Sequence, residues 1–198
     1  GFISLGTSGQ LFITQREYSP NIESRVHTYA HTHADHWFKM GAMLNGARPM
    51  AWLADILGQP ITDLLRQAET EVQENLIFLP YLSGERTPHG DASLRGSFYG
   101  LSENTTPGCL MRAVIEAIAF SFSDAKLAFE DSGTSVADLL AIGGGTKSDL
   151  LIQTISDVLG ARIGRSNEAD IGPALGAARL AYLAVQNDCS LEEIAFNP

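Results

Sequence analysis

Basic residues are scarce in this chain: 13 Lys and Arg stand against 23 Asp and Glu over 198 residues, a formal net charge of -10. That balance excludes duplex nucleic acid or an anionic membrane surface as the main partner, because both recruit clustered Lys and Arg. Cysteine is scarcer still. Cys109 and Cys189 form no Cys-x-x-Cys pair, which excludes a disulfide-stapled secreted scaffold and fits a reducing, cytoplasmic setting. No run approaches the about 18 consecutive apolar residues of a membrane span. The opening Gly1-Phe2-Ile3-Ser4-Leu5 lacks the basic segment and cleavage site of a secretory leader. Internal repeats, low-complexity tracts and linkers are missing too, so residues 1–198 read as one α/β domain. What is present suffices for a core: 44% of residues are hydrophobic, and a chain of this length buries about 70% of its unfolded surface.

Two β-rich runs, 2–5 and 10–14, flank Gly6-Thr7-Ser8-Gly9. They predict a hairpin whose glycines supply the positive φ of a tight turn. A hairpin with no leading arm is unusual, so the chain is expected to be a fragment. A third strand is predicted around 25–31. Helices are predicted over 49–57, where Met50, Leu53, Ala54 and Leu57 share a face before Gly58, and over 61–72. The apolar run 76–79 then leads into a Gly- and Pro-rich surface loop, 83–96. Thr106 and Pro107 supply the N-cap and first position of a long helix that ends at Gly133. Leu139-Leu140-Ala141-Ile142 reads as a strand buried on both faces. Ser148 caps a helix that stops at Gly160, and a last helix begins near Pro173.

Four features could carry chemistry. Gly143, Gly144 and Gly145 lie between a buried strand and a capped helix. A ligand could approach the backbone closely there, and the reading as a plain strand-to-helix turn is equally open. The segment is not a P-loop, because Ala141 and Thr146 stand where that pattern needs glycine. Gly6-Thr7-Ser8-Gly9 could wrap a phosphate or be an ordinary turn. His27, His31, His33 and His36, with Asp35 among them, are four of the five histidines. His31 and His33 would share a strand face, but their spacing matches no metal-ligand pattern, so polar strand positions are expected and no metal site is assigned. In the loop 79–89, Glu85, Arg86 and His89 could recognise a polar ligand or another domain, and a surface loop held by a Glu–Arg pair is equally open. Nucleophile constellations are weak: Ser8 is not in a Gly-x-Ser-x-Gly elbow, and Cys109 has no base partner in view. Arg48, Arg86, Arg95 and Lys147 are candidate phosphate contacts whose commoner role is a solvated surface charge.

Taken together, these stretches resemble a known family. Ser4-Leu5-Gly6-Thr7-Ser8-Gly9, the loop 79–89, Arg95-Gly96-Ser97-Phe98-Tyr99-Gly100-Leu101, Gly143-Gly144-Gly145-Thr146-Lys147-Ser148 and Ala174-Leu175-Gly176-Ala177-Ala178 are similar to the carboxy-terminal half of the FGGY carbohydrate kinases. Cys109 departs from the polar residue usual at its position. The resemblance implies an actin-like ATPase (ribonuclease H-like) domain, a mixed sheet flanked by helices, with ATP and Mg2+ as cofactors. It implies that Gly6 and Thr7 contact the terminal phosphates. It places Gly143, Gly144, Gly145 and Ser148 around the adenosine, with Ala47 and Met50 across the nucleotide. The catalytic base, an Asp, and most sugar contacts are expected in an amino-terminal domain upstream of Gly1, so this chain alone is expected to be inactive. The loop 79–89 favours D-xylulose as the sugar by resemblance, with gluconate, glycerol or ribulose as alternatives. A non-catalytic actin-like binding module is the rival from another class. Apolar surface meant for the missing domain would let the chain pair as a homodimer.

Overall fold

The computed structural model describes residues 1–165 and 172–186. Strands β1 (Phe2–Leu5), β2 (Gly9–Gln15), β3 (His27–Ala30) and β4 (Trp37–Met43) lead to helices α1 (Arg48–Leu57) and α2 (Ile61–Ala68). A short ladder, β5 (Ile77–Leu79) with β6 (Ser97–Tyr99), precedes the long helix α3 (Pro107–Asp131). Strand β7 (Asp138–Ile142), a 3-10 turn (Gly144–Lys147), helix α4 (Asp149–Leu159), strand β8 (Arg162–Arg165) and helix α5 (Gly172–Val185) follow.

The main sheet has six strands in the order β3-β4-β2-β1-β7-β8. β1 to β4 pair antiparallel, whereas β1–β7 and β7–β8 are parallel. This is the mixed sheet expected. The parallel half needs crossovers, and α3 and α4 supply them. Ile3, Leu5, Leu11, Leu139 and Ala141 point from the sheet into one core with Met111, Ile115, Ile118, Phe122 and Phe129 of α3 and Leu151 and Ile155 of α4. Each such side chain contributes about 1.5–3 kcal/mol on burial.

Local signals explain the helix limits. Thr106 Oγ1 accepts from Cys109 N at 3.2 Å and donates to Glu71 Oε2 at 2.5 Å, tying the start of α3 to the segment after α2. Thr106→Ala is therefore expected to cost about 1–2 kcal/mol, the loss of a cap, read as a lowered denaturation midpoint; an unchanged midpoint would leave the cap without energetic weight. Ser148 caps α4 through Leu151 N, and Gly58 and Gly160 close α1 and α4 with left-handed φ. α2 ends four residues short of the expected 72, at the Ala68–Glu69 boundary.

Two corrections concern β3 and β4. His31 and His33 lie in the connection after β3, not on the strand, and β4 itself was not expected from the sequence. In β4 the inward residues are Lys39, Gly41 and Met43, while Phe38 and Met40 face outward. That reverses the usual alternation. Lys39 is 0% exposed because its ammonium donates to Ser132 O at 2.7 Å and Ser132 Oγ at 3.0 Å, at the carbonyl end of α3. A helix C-terminus favours a cation, although burial still holds the Lys39 amine below its ordinary value. Among the described residues no helix is long and apolar enough to cross a membrane.

Candidate functional site

Three backbone turns converge at one end of the sheet. The first joins β1 to β2 through Gly6, Thr7 and Ser8; the second is Asn45-Gly46-Ala47, entering α1; the third is Gly143 to Lys147, leaving β7. Ala47 N donates to Gly6 O at 2.8 Å and Gly46 N to Thr7 O at 3.1 Å, clamping the first turn onto the second. The third turn closes on the same place. A Cβ on Gly145 would meet Leu5 Cβ at 2.8 Å, Leu5 O at 3.0 Å and Ala47 Cβ at 3.2 Å.

The glycines of this cluster divide into two kinds. Gly46 and Gly145 are required by packing, since a side chain on either would press into neighbouring residues, and Gly143 also has φ 93°. Gly6 and Gly144 are not. A Cβ on Gly144 would meet nothing within 4 Å, and one on Gly6 only Ser8 O at 3.7 Å. Nor does the hairpin need positive φ at Gly6 or Gly9, which corrects the conformational reason expected from the sequence. With the carbonyls of Gly6 and Thr7 occupied by the turn that enters α1, the N–H groups of Thr7 and Ser8 make no hydrogen bond among the described residues, and both residues are exposed. Adjacent unspent N–H groups on a fixed turn form an anion-binding concavity.

The remaining candidates fall around this centre. Ser148 is buried as the α4 cap, Thr146 Oγ1 donates to Gly143 O at 2.7 Å, and Arg165 Nη1 spans Thr146 O at 3.1 Å and Asp149 Oδ1 at 2.5 Å, fixing the third turn from outside. Ala47 is half-buried where the turns meet, and Met50, 3% exposed, packs beneath them in the core. Cys109 is buried in the core beneath the Thr106 cap.

The loop 79–89 departs from the expected surface loop. Glu85 and Thr87 are 3% and 1% exposed. Glu85 Oε1 accepts from Leu44 N at 2.6 Å and Arg86 N at 2.7 Å, and Asn45 Nδ2 donates to Gly84 O at 3.0 Å. Thr87 Oγ1 accepts from Ala42 N and donates to Arg25 O, both at 3.1 Å. The loop thus braces the strand end that carries Gly46. Sequence reasoning missed this brace: Glu85 reads as a surface charge because its partners lie some forty residues away. Tyr81 Oη lies 3.0 Å from His89 Nε2, and burial, then Asp124 and Glu85, push its hydroxyl above the ordinary tyrosine range.

The histidines do not gather a metal set: among the described residues no group of three or more His, Cys, Asp or Glu could hold an ion. His31 Nδ1 accepts from His33 N at 2.9 Å, and burial, followed by His36 and His33, holds His31 below the ordinary histidine range. Cys189 lies outside the described residues.

Comparison with known proteins gives the arrangement a context. Residues 1–185 match the FGGY family of carbohydrate kinases, C-terminal domain. A xylulose kinase of Escherichia coli K12 is 36% identical over 195 residues, covering 97% of this chain and 40% of its own length. The crystal structure of a "xyloylose kinase" from Brucella ovis superposes with a TM-score of 0.87 at 40% identity over 92% of this chain and 38% of that one. A gluconate kinase structure from Lactobacillus acidophilus superposes at 0.80 with 32% identity, over 97% of this chain and 40% of its own. This chain thus spans about two fifths of the length of the relatives it matches. The fold is that of their carboxy-terminal, actin-like ATPase domain, and the chain belongs to the FGGY family of carbohydrate kinases, as its C-terminal domain.

Proposed function

We propose that this chain is the nucleotide-holding half of an ATP-dependent sugar kinase, and that the intact protein phosphorylates D-xylulose at its 5-hydroxyl. One observation carries the nucleotide assignment. In a cluster where Gly46 and Gly145 are spent on packing, Gly6 and Gly144 keep open space that the fold does not need, beside the unspent N–H groups of Thr7 and Ser8. Backbone open to that degree suits phosphate and ribose. In this reading Gly6, Thr7 and Ser8 hold the phosphates, the segment from Gly143 to Ser148 flanks the adenosine, and Ala47 and Met50 support the opposite wall. ATP supplies the transferable phosphoryl group. Mg2+ would arrive on the phosphates, because the described residues offer no all-protein metal cage.

The chain's own contribution is to bind, orient and fix position, the main protein contribution to phosphoryl transfer. The base that accepts the hydroxyl proton and most sugar contacts are assigned to the remainder of the protein. Likeness to the xylulose kinases supports the pentulose; likeness to a gluconate kinase keeps gluconate as the second substrate to try.

The test is isothermal titration of the chain with MgADP beside Gly144→Val. The parent is expected to bind, and the variant to keep its melting temperature but lose affinity by about ten-fold or more, roughly 1.4 kcal/mol per decade. Equal binding by both proteins would remove the nucleotide from this turn. A substrate panel on the full-length protein then separates D-xylulose from gluconate.

A further inference from the structure

A second concavity lies beside the edge strand β3, on the far side of the brace formed by Glu85 and Thr87. It encloses about 650 Å³ and is lined by Asn21, Glu23, Arg25, His27, Thr28 and Arg86, among others. Its floor is ordered. Asn21 Oδ1 accepts from Glu23 N at 3.0 Å and Ser24 N at 3.3 Å, and Arg25 N donates to Ile22 O at 3.2 Å. Arg25 adopts φ 55°, a conformation unfavourable for a residue with a Cβ. In this geometry its guanidinium lies over Gly90, where any side chain would displace it, and Nη1 donates to Gly90 O at 3.3 Å. The same loop presents Arg86, whose backbone is held: Arg86 N donates to Glu85 Oε1, and Gly90 N donates to Arg86 O at 2.5 Å.

Donor capacity remains on three side chains here, with Arg25 using one N–H on Gly90 O. Among the described residues neither Arg25 nor Arg86 has a carboxylate partner, and Thr28 Oγ1 is enclosed with no hydrogen-bond partner. An enclosed, unpartnered hydroxyl is uncommon because its desolvation goes uncompensated. Two guanidinium groups against the single Glu23 leave the wall net positive in a chain whose charge is -10. Paired arginines with a hydroxyl and an amide are the donor set for an oxyanion with several acceptor oxygens.

We propose that this pocket binds the phosphate group of a small phosphorylated molecule, at a site separate from the three turns. Thr87 fastens one wall to β4 and to Arg25 O, and β4 ends at Met43, opposite Gly9 and beside the Gly6 turn. Occupancy would therefore be felt along the same sheet end as the nucleotide turns.

The experiment is calorimetric titration of the 198-residue chain with inorganic phosphate at constant ionic strength. Saturable binding is expected, with a dissociation constant on the order of 1 mM. Arg86→Gln, an exposed and unpaired side chain whose loss spares the fold, should weaken binding about ten-fold. Thr28→Val should weaken it too, and Glu23→Gln, which removes the opposing charge, should tighten it. MgADP affinity should be unchanged in Arg86→Gln, and phosphate binding should persist in Gly144→Val, so the two sites are judged separately. Absent saturation in the parent, or a phosphate affinity indifferent to Arg86→Gln, overturns the proposal.

Discussion

Gly46→Ala is expected to destabilise the chain by about 3 kcal/mol and to abolish MgADP binding with it. The added Cβ would fall on the Ser8 carbonyl and within 2.6 Å of Gly9 N. Those are backbone atoms of the hairpin and cannot swing aside as a flexible side chain would. Either α1 withdraws, breaking the Ala47–Gly6 and Gly46–Thr7 hydrogen bonds, or the hairpin distorts. Overpacking of this kind commonly costs about 1–3 kcal/mol, and two lost backbone bonds raise the figure. With a urea dependence of about 2 kcal/mol per molar, the midpoint should fall by about 1.5 M. The contrast with Gly144→Val is the informative part: one glycine is required by the fold, the other is left open by it. Gly46→Ala with a parental midpoint would show that the turns do not pack as described.

Glu85→Ala should be nearly as damaging, at about 3 kcal/mol. It strands two part-buried backbone N–H groups, Leu44 and Arg86, beside a glutamate that is itself 3% exposed, and removes an acceptor from Asn45. Each buried donor left unsatisfied costs about 1–3 kcal/mol. Glu85→Gln retains an oxygen where Oε1 now accepts both N–H groups, and places its amide only against the longer 3.4 Å contact from Asn45. The amide should therefore recover most of the loss. Comparing denaturation midpoints of the two variants checks the assignment: equal destabilisation by Ala and Gln would mean that charge, not accepting geometry, is what the site uses.

The ends of α3 and α4 were legible because their signals are local. Thr106 and Pro107, Ser148 and Gly160 act on bonds three or four residues away, and the structure uses each as read. β4 was not legible, because its pattern is set by a distant element. A lysine at an inward position defeats any reading of alternation, and only the carbonyl end of α3 makes Lys39 tolerable there. The glycines were visible, but not their division of labour. Gly6 looked like a turn residue, and Gly46 drew no reading of its own; which glycine was needed for packing depended on contacts with Ser8, Leu5 and Ala47. Glu85 read either as a recognition charge or as half of a surface Glu–Arg pair, whereas its oxygens are consumed in holding the end of β4. The actin-like architecture itself rested on the family resemblance, since periodicity yields elements and not their order in a sheet.

That order has a kinetic consequence. β1 stands in the middle of the sheet, and its parallel partner β7 lies far along the sequence from it, with Phe2 beside Leu140. The meander β1–β4 can form early from near neighbours. Its inner edge must then stay unpaired until α3 and β7 have been synthesised. Long-range parallel pairing is slow to form, and an open strand edge is prone to pair with another molecule in the interval. During refolding, amide protection should therefore appear in the meander before it appears along β7 and β8. The yield of native chain should fall as concentration rises, with β1 as the strand at risk.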